Sequence, residues 1–206
     1  WCPDLGGLPL DRRVRSVLEQ QRSTLESMGC IVEEACPDFG NVNEIFLTIR
    51  TWASWNTYKD LLASHRDAIK PEAQWDIEQG QHVSGEALAA ALMSQGQLME
   101  RMRAFFAKYA FLLCAVNQVP PFEASEPWPT AIDGVPMENY VAWMKSTYWI
   151  SATCSPALSV PAGFTADGLP VGIQVVGAYR DDLNVLKFGH AFEQATGIGR
   201  QRPPDA

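Results

Sequence analysis

Hydroxyls and carboxylates are plentiful in this chain and imidazoles number three, yet few are spaced for catalysis. Hydrolysis by a serine needs an activated hydroxyl, a base beside it and donors for the developing oxyanion. No GxSxG elbow and no Ser-Ser pair occurs, and Ser84-Gly85 stands isolated. His65, His82 and His190 fall in predicted helices or at their edges, with no metal-ligand spacing between them, so surface or packed roles are expected. Carboxylates come together as Glu33-Glu34, as Asp181-Asp182 and as Asp76 with Glu78. Neighbours on a strand point to opposite faces, which separates Glu33 from Glu34. Asp181-Asp182 sits where a helix begins, and acids are favoured there by the helix dipole. Arg50 and Arg66 could meet an acidic substrate, but solvated helix faces account for both more simply.

Cysteine and glycine spacing narrows the chemistry further. Cys2, Cys30, Cys36, Cys114 and Cys154 are scattered, odd in number and without CxxC spacing, so a zinc site is not expected. The expectation is reduced thiols in a cytosolic protein, mostly buried as small hydrophobes. Gly163, Gly168, Gly172 and Gly177 do not form a dinucleotide fingerprint or a P-loop. They suit turns and close backbone approach.

The elements that must carry these residues alternate between helix and strand, as an α/β layer requires. Asp11 caps a helix running to about Met28, with Val14, Val17, Leu18, Leu25 and Met28 at helical spacing and Gly29 as its stop. Cys30–Cys36 reads as a short strand. Asn41 or Asn43 opens a long helix to about His65, and Lys70-Pro71 breaks it. Pro71–Gly80 reads as less regular, and Ser84 caps a helix to Tyr109. Phe111–Val116 is a short buried strand, and Val119–Pro136 a proline-rich loop of the kind that wraps a surface or lines a site. Met137–Ser151 reads as helical, its Trp143, Tyr148 and Trp149 suiting a core more than a pocket. Two apolar strands follow, Ala157–Pro161 and Val171–Val176, around the Asp167-Gly168 hairpin signal. Pro161 and Pro170 disfavour continuous pairing beside that turn. A helix over Asp181–Thr196 closes the pattern. No repeat and no clear domain boundary is visible.

The bulk numbers exclude several function classes. A chain of 206 residues, 47% hydrophobic and 19% charged, can bury a core and is not disordered. With a net charge of −8 and no basic cluster, it is a poor partner for nucleic acid or for an anionic membrane. No apolar run is long enough to span a bilayer. The chain opens on Trp1 rather than Met, which reads as something other than a native start.

Several blocks, in order, resemble the amidase signature family of serine amide hydrolases. They are Pro3-Asp4-Leu5-Gly6-Gly7, Lys70-Pro71 with Trp75-Asp76-Ile77-Glu78-Gln79-Gly80, and Leu112-Leu113-Cys114 with Gln118-Val119-Pro120-Pro121-Phe122. Ile132-Asp133-Gly134, with Tyr140 and Trp143-Met144, precedes the strongest likeness, SPALSVPAGFTADGLPVGIQVVG from Ser155 to Gly177. Asp181–Gly197 and the RQRPP tail, Arg200–Pro204, are also similar to members.

The resemblance implies the C-terminal portion of the amidase signature fold, an α/β arrangement with a mixed β-sheet flanked by helices. Residues 1–206 would be a single C-terminal segment of an amidase domain, truncated on its N-terminal side. Members hydrolyse amides with a Ser–cis-Ser–Lys triad carried on a Gly/Ser-rich loop, and no position here matches that loop. No catalytic residue therefore carries over; those residues would belong to a portion before Trp1. What does carry over is a substrate-pocket wall: Tyr148, Ile150, Thr153, Cys154 and Ser155. Cys154 stands where members usually have glycine, and Ala115-Val116-Asn117 replaces a Pro-Thr pattern.

The resemblance thus implies part of a cytoplasmic amide hydrolase without metal or organic cofactor. Its partners would be a small-molecule amide, the remaining N-terminal part of the amidase and, in one option, a second copy in a homo-oligomer. The alternative is a non-catalytic assembly module that docks on a separate catalytic chain.

Overall fold

The structure, a computed structural model, describes residues 1–201. Arg202, Pro203 and Pro204 of the tail block lie outside the described residues. The described residues form two compact units, residues 1–37 with those from 102 onward and residues 38–101.

The first unit is built on a three-stranded sheet. Strands β1 (Leu112–Ala115), β4 (Ala157–Phe164) and β5 (Pro170–Val176) lie in the order β1-β5-β4. Both pairings are antiparallel, with Cys114 opposite Gln174 and Gln174 opposite Ser159. The sheet is extended beyond β1 by chain with no regular strand assignment. Cys2 N–H donates to Leu113 O (3.0 Å), and Ala115 N–H donates to Pro3 O (3.0 Å). Trp1 N in turn donates to Glu33 O (2.6 Å), and Ala35 N–H donates to Trp1 O (3.3 Å). That reciprocal pattern belongs to parallel neighbours, so parallel and antiparallel contacts coexist around β1. Cys30–Cys36, expected as a strand, contributes only this local pairing.

The hairpin between β4 and β5 follows its sequence signal. Thr165 N–H donates to Leu169 O (2.8 Å), and Gly168 N–H donates to Thr165 O (2.9 Å). Gly168 has φ +83°, a conformation that glycine adopts without a Cβ penalty. The ladder shifts register between Pro161 and Gly163, because proline has no N–H to give and a bulge absorbs the fault. A smaller hairpin sits in the proline-rich loop: β2 (Ala131–Ile132) pairs with β3 (Val135–Pro136) around Asp133-Gly134.

Helices α1 (Arg12–Ser27) and α6 (Asp182–Thr196) pack on one sheet face. Asp11 caps α1, its carboxylate accepting from Arg13 N–H (2.8 Å). Buried Val14, Val17, Leu18 and Leu25 form the apolar stripe that its period dictates. They meet Ala162, Ile173 and Val175 of the sheet and Val185 and Phe192 of α6 in one core. Helix α5 (Lys145–Ala152) follows a 3-10 turn over Ala142–Met144. The expected helix therefore starts late: Asn139 Oδ1 accepts from Val141 and Ala142 N–H (3.0 and 3.1 Å) and holds a turn ahead of it.

The second unit is helical: α2 (Val42–His65), α3 (Pro71–Gln79) and most of α4 (Gly85–Phe106). Pro71–Gly80, read as irregular, is a helix because Pro71 occupies its first turn, where its missing N–H costs nothing. Ser84 caps α4, accepting from Ala87 N–H (3.1 Å). Since α4 runs across the division between the units without a linker, the sequence carries no boundary signal there.

One cysteine expectation is overturned. Cys2 and Cys36 are disulfide-bonded, with Cα atoms 5.4 Å apart. Pairing between Trp1 and the 33–35 segment brings these two residues together, a proximity that a separation of 34 positions does not reveal.

Candidate functional site

The five residues singled out for a pocket wall lie at the end of α5 and the turn into β4. Successive side chains of a helix point in different directions, so they divide by burial. Tyr148, Ile150 and Thr153 are buried at 5%, 1% and 1% exposure, whereas Cys154 is exposed and Ser155 half-buried. Burial pushes the Tyr148 phenol up to about 12, partly offset by a hydrogen bond with Trp149, so at neutral pH it is an uncharged phenol. Thr153 closes the helix, its Oγ1 donating to Ile150 O (2.7 Å) and accepting from Ser155 N–H (3.2 Å).

Cys154 then takes φ +57°, the left-handed region where a Cβ is penalised. A glycine at this position, as the resemblance leads one to expect, has a physical reason: the chain must turn sharply from α5 into β4. Of the five, the structure thus presents Cys154 and Ser155 at the surface and holds Tyr148, Ile150 and Thr153 in packing.

Two buried glutamines anchor Ser146 at the start of α5, Gln118 to the entry segment and Gln174 to the sheet, and the sequence reading did not single them out for this. Gln118 is 1% exposed. Its Nε2 donates to Pro9 O (2.9 Å), and its Oε1 accepts from Ser146 N–H (3.3 Å). Gln174 Nε2 donates to Ser146 O (3.3 Å) and lies 3.4 Å from Cys114 Sγ. Ser146 Oγ donates to Val116 O (2.8 Å). An amide amid apolar neighbours, as in VGIQVV, is the signal that could have found Gln174, because a buried amide must find partners. Burial pushes the Cys114 thiol up to about 12, against a smaller opposite effect of Gln174, so Cys114 is an inert packing group rather than a nucleophile.

A cleft of about 300 Å³ opens at the other end of α5, among Asn117, Pro120, Phe122, Trp143 and Pro170. Phe122 and Trp143 meet edge to face, their ring centroids 5.5 Å apart. None of the five residues expected as a pocket wall lines it. The start of the proline-rich loop, expected to wrap a surface or line a site, lines this cleft through Val119, Pro120, Pro121 and Phe122.

The remaining candidates are engaged elsewhere. Arg50 Nε donates to Asp76 (2.9 Å), which also accepts from Ser54 Oγ (3.0 Å). Arg66 pairs with Glu78 at 2.7 Å. Both arginines hold α2 or its end against α3. Glu34 pairs with Arg22 at 2.8 Å, and Asp181 accepts from Asn184 Nδ2 at 2.7 Å. His65, His82 and His190 are all exposed. Among the described residues, no group of three or more His, Cys, Asp or Glu side chains is placed to hold a metal ion. No helix among them is long and apolar enough to cross a membrane.

Known proteins supply the frame for this geometry. The profile of the Amidase family matches residues 3–186. An acylamidase of Rhodococcus erythropolis is 26% identical over the whole chain, which covers 44% of that protein. A glutamyl-tRNA(Gln) amidotransferase subunit of Ralstonia nicotianae is 33% identical over 71% of the chain and 30% of its own length. Among solved structures, a bacterial aryl acylamidase of the amidase signature family superposes with a TM-score of 0.81 at 21% identity, over 98% of this chain and 45% of that one. The chain spans less than half the length of the relatives it matches. The expected fold class, helices around a sheet as in the C-terminal portion of the amidase signature fold, stands on that superposition. With its profile match, ordered sequence blocks and superposable fold, the chain belongs to the amidase family.

Proposed function

We propose that this chain is a single C-terminal segment of an amidase domain, which completes the sheet and one wall of the substrate cleft of an amide hydrolase. The reaction is carboxylic amide plus water to carboxylate plus ammonia or an amine. The family match over residues 3–186 carries this reading. The relatives, an acylamidase and a glutamyl-tRNA(Gln) amidotransferase component, favour an amide substrate without choosing one.

In this proposal Cys154 and Ser155 face the acyl group, and Tyr148, Ile150 and Thr153 hold the wall behind them. The partner is the N-terminal part of the amidase, which would supply nucleophile, base and oxyanion donors. The chain alone lacks a Ser-Ser pair or Gly/Ser-rich loop and is inactive, since turnover needs those groups together. The test is an aryl-amide assay on residues 1–206 and on the same chain joined to an amidase N-terminal half. Turnover is expected only in the joined form. Hydrolysis by the 206-residue chain that scales with its concentration would sink the proposal.

A further inference from the structure

The Cys2–Cys36 disulfide lies in the wall of a cleft of about 360 Å³, with Asp4, Arg15, Glu19 and Glu34 around it. Its two ends differ in access. Cys2 is 6% exposed and sits in the row paired to β1, its N–H bonded to Leu113 O. Cys36 is exposed. The bond therefore presents one open end to solvent, in the wall of a polar cleft wide enough for a small molecule.

We propose that Cys2–Cys36 is a thiol-exchange site for small-molecule thiols, with Cys36 Sγ as the atom attacked. The thiolate of a small thiol forms a bond to Cys36 Sγ while the Cys2–Cys36 bond breaks. The electron pair leaves with Cys2 Sγ, which takes a proton from water. A second thiolate attacks the mixed disulfide, releasing the small-molecule disulfide and leaving Cys36 as a thiolate that also protonates. Two thiols are oxidised, and the protein disulfide is reduced by two electrons. Access decides which sulfur is attacked, because exchange requires in-line approach to an exposed sulfur.

The consequence is local. Cys30 and Val32 pack on the core, so without the crosslink the 33–36 end of the segment is held by the two Trp1 pairings and by the ion pairs Arg22–Glu34 (2.8 Å) and Lys108–Glu33 (3.8 Å). Such pairs are weak in water. The crosslink is thus a clamp on the edge beyond β1, and a thiol releases it.

Three readouts test this on protein purified without reductant. Denaturation and alkylation should find three free thiols and one crosslinked peptide pair, holding Cys2 and Cys36; five free thiols or another pairing overturns it. Brief native treatment with glutathione and an acid quench should place the tripeptide on Cys36, and a mixed disulfide on Cys2 instead overturns the assigned direction of attack. Reduction should lower the thermal midpoint by roughly 10 °C, the scale for opening a loop of this length. The Cys2→Ser/Cys36→Ser double variant should melt at that lower temperature with or without reductant. An unchanged wild-type midpoint after complete reduction overturns the clamp even where the variant fails to fold.

Discussion

Single residues here carry constraints that their types do not announce. Cys154 is an ordinary polar-apolar side chain in the sequence, but its φ of +57° makes it a strained one, since a Cβ in the left-handed region costs about 1 kcal/mol. Cys154→Gly should raise the unfolding free energy by about that much, read as a higher denaturant midpoint with unchanged slope; an equal or lower midpoint would show that the side chain's contacts outweigh its backbone cost. Asp11 shows a different constraint. Its hydrogen bond with the Arg13 side chain, aided by the Arg13 N–H, holds its carboxyl below the ordinary 3.8 against some desolvation. A depressed folded-state pKa stabilises the fold above the unfolded value, and that stability is lost as pH falls through the folded one. Asp11→Ala should therefore cost about 1 kcal/mol at pH 7, and the gap from wild type should close as the pH drops well below 3.8. Parallel urea titrations at neutral and acid pH would measure both.

At the scale of elements, the helical unit depends on how closely α2 and α3 approach. A Cβ on Gly80 would overlap the Thr51 carbonyl and the Trp55 Cβ, and backbone cannot swing aside as a side-chain tip can. Gly80→Ala should cost about 3 kcal/mol or more, at the upper end of overpacking penalties. Gly189 offers the contrast: its added Cβ would meet the tip of the Leu158 side chain, which can rotate, so Gly189→Ala should cost distinctly less. Melting curves of the two variants decide whether backbone contact sets the order. Nearby, Asp76 is 6% exposed and accepts from both Arg50 and Ser54. Asp76→Ala would leave a partly exposed guanidinium without its partner, a loss of about 2 kcal/mol. Hydrogen exchange should then quicken in α2 and α3 first.

For the molecule as a whole, a net charge of −8 with a pI near 4.9 governs how copies meet. Repulsion keeps chains apart at neutral pH and fades towards the isoelectric point. Apolar side chains left open on the first unit, such as Ile31, Leu183 and Leu186, then have less opposing them. Light scattering across pH 8 to 5 should show association growing as the pH approaches 4.9; scattering that stays flat would mean these side chains are too dispersed to drive contact.

Local pattern was enough for much of this protein, because it acts over a few residues. The period of Val14, Val17, Leu18 and Leu25 set the buried face of α1, and Asp11 and Ser84 marked helix starts through hydrogen bonds two and three residues long. Asp167-Gly168 located the hairpin, Pro161 its fault, and the ordered motif blocks the family. What the sequence left open depends on contacts between distant segments. Pro71 looked like a break until its place at a helix start turned a missing donor into an advantage. Trp1 had to pair with Glu33 and Ala35 before Cys2 could meet Cys36. Tyr148, Ile150 and Thr153 had to pack before they separated from the surface pair Cys154 and Ser155. Burial and pairing are properties of three-dimensional neighbours, so tertiary structure alone decided which thiols join and which of these five residues face out.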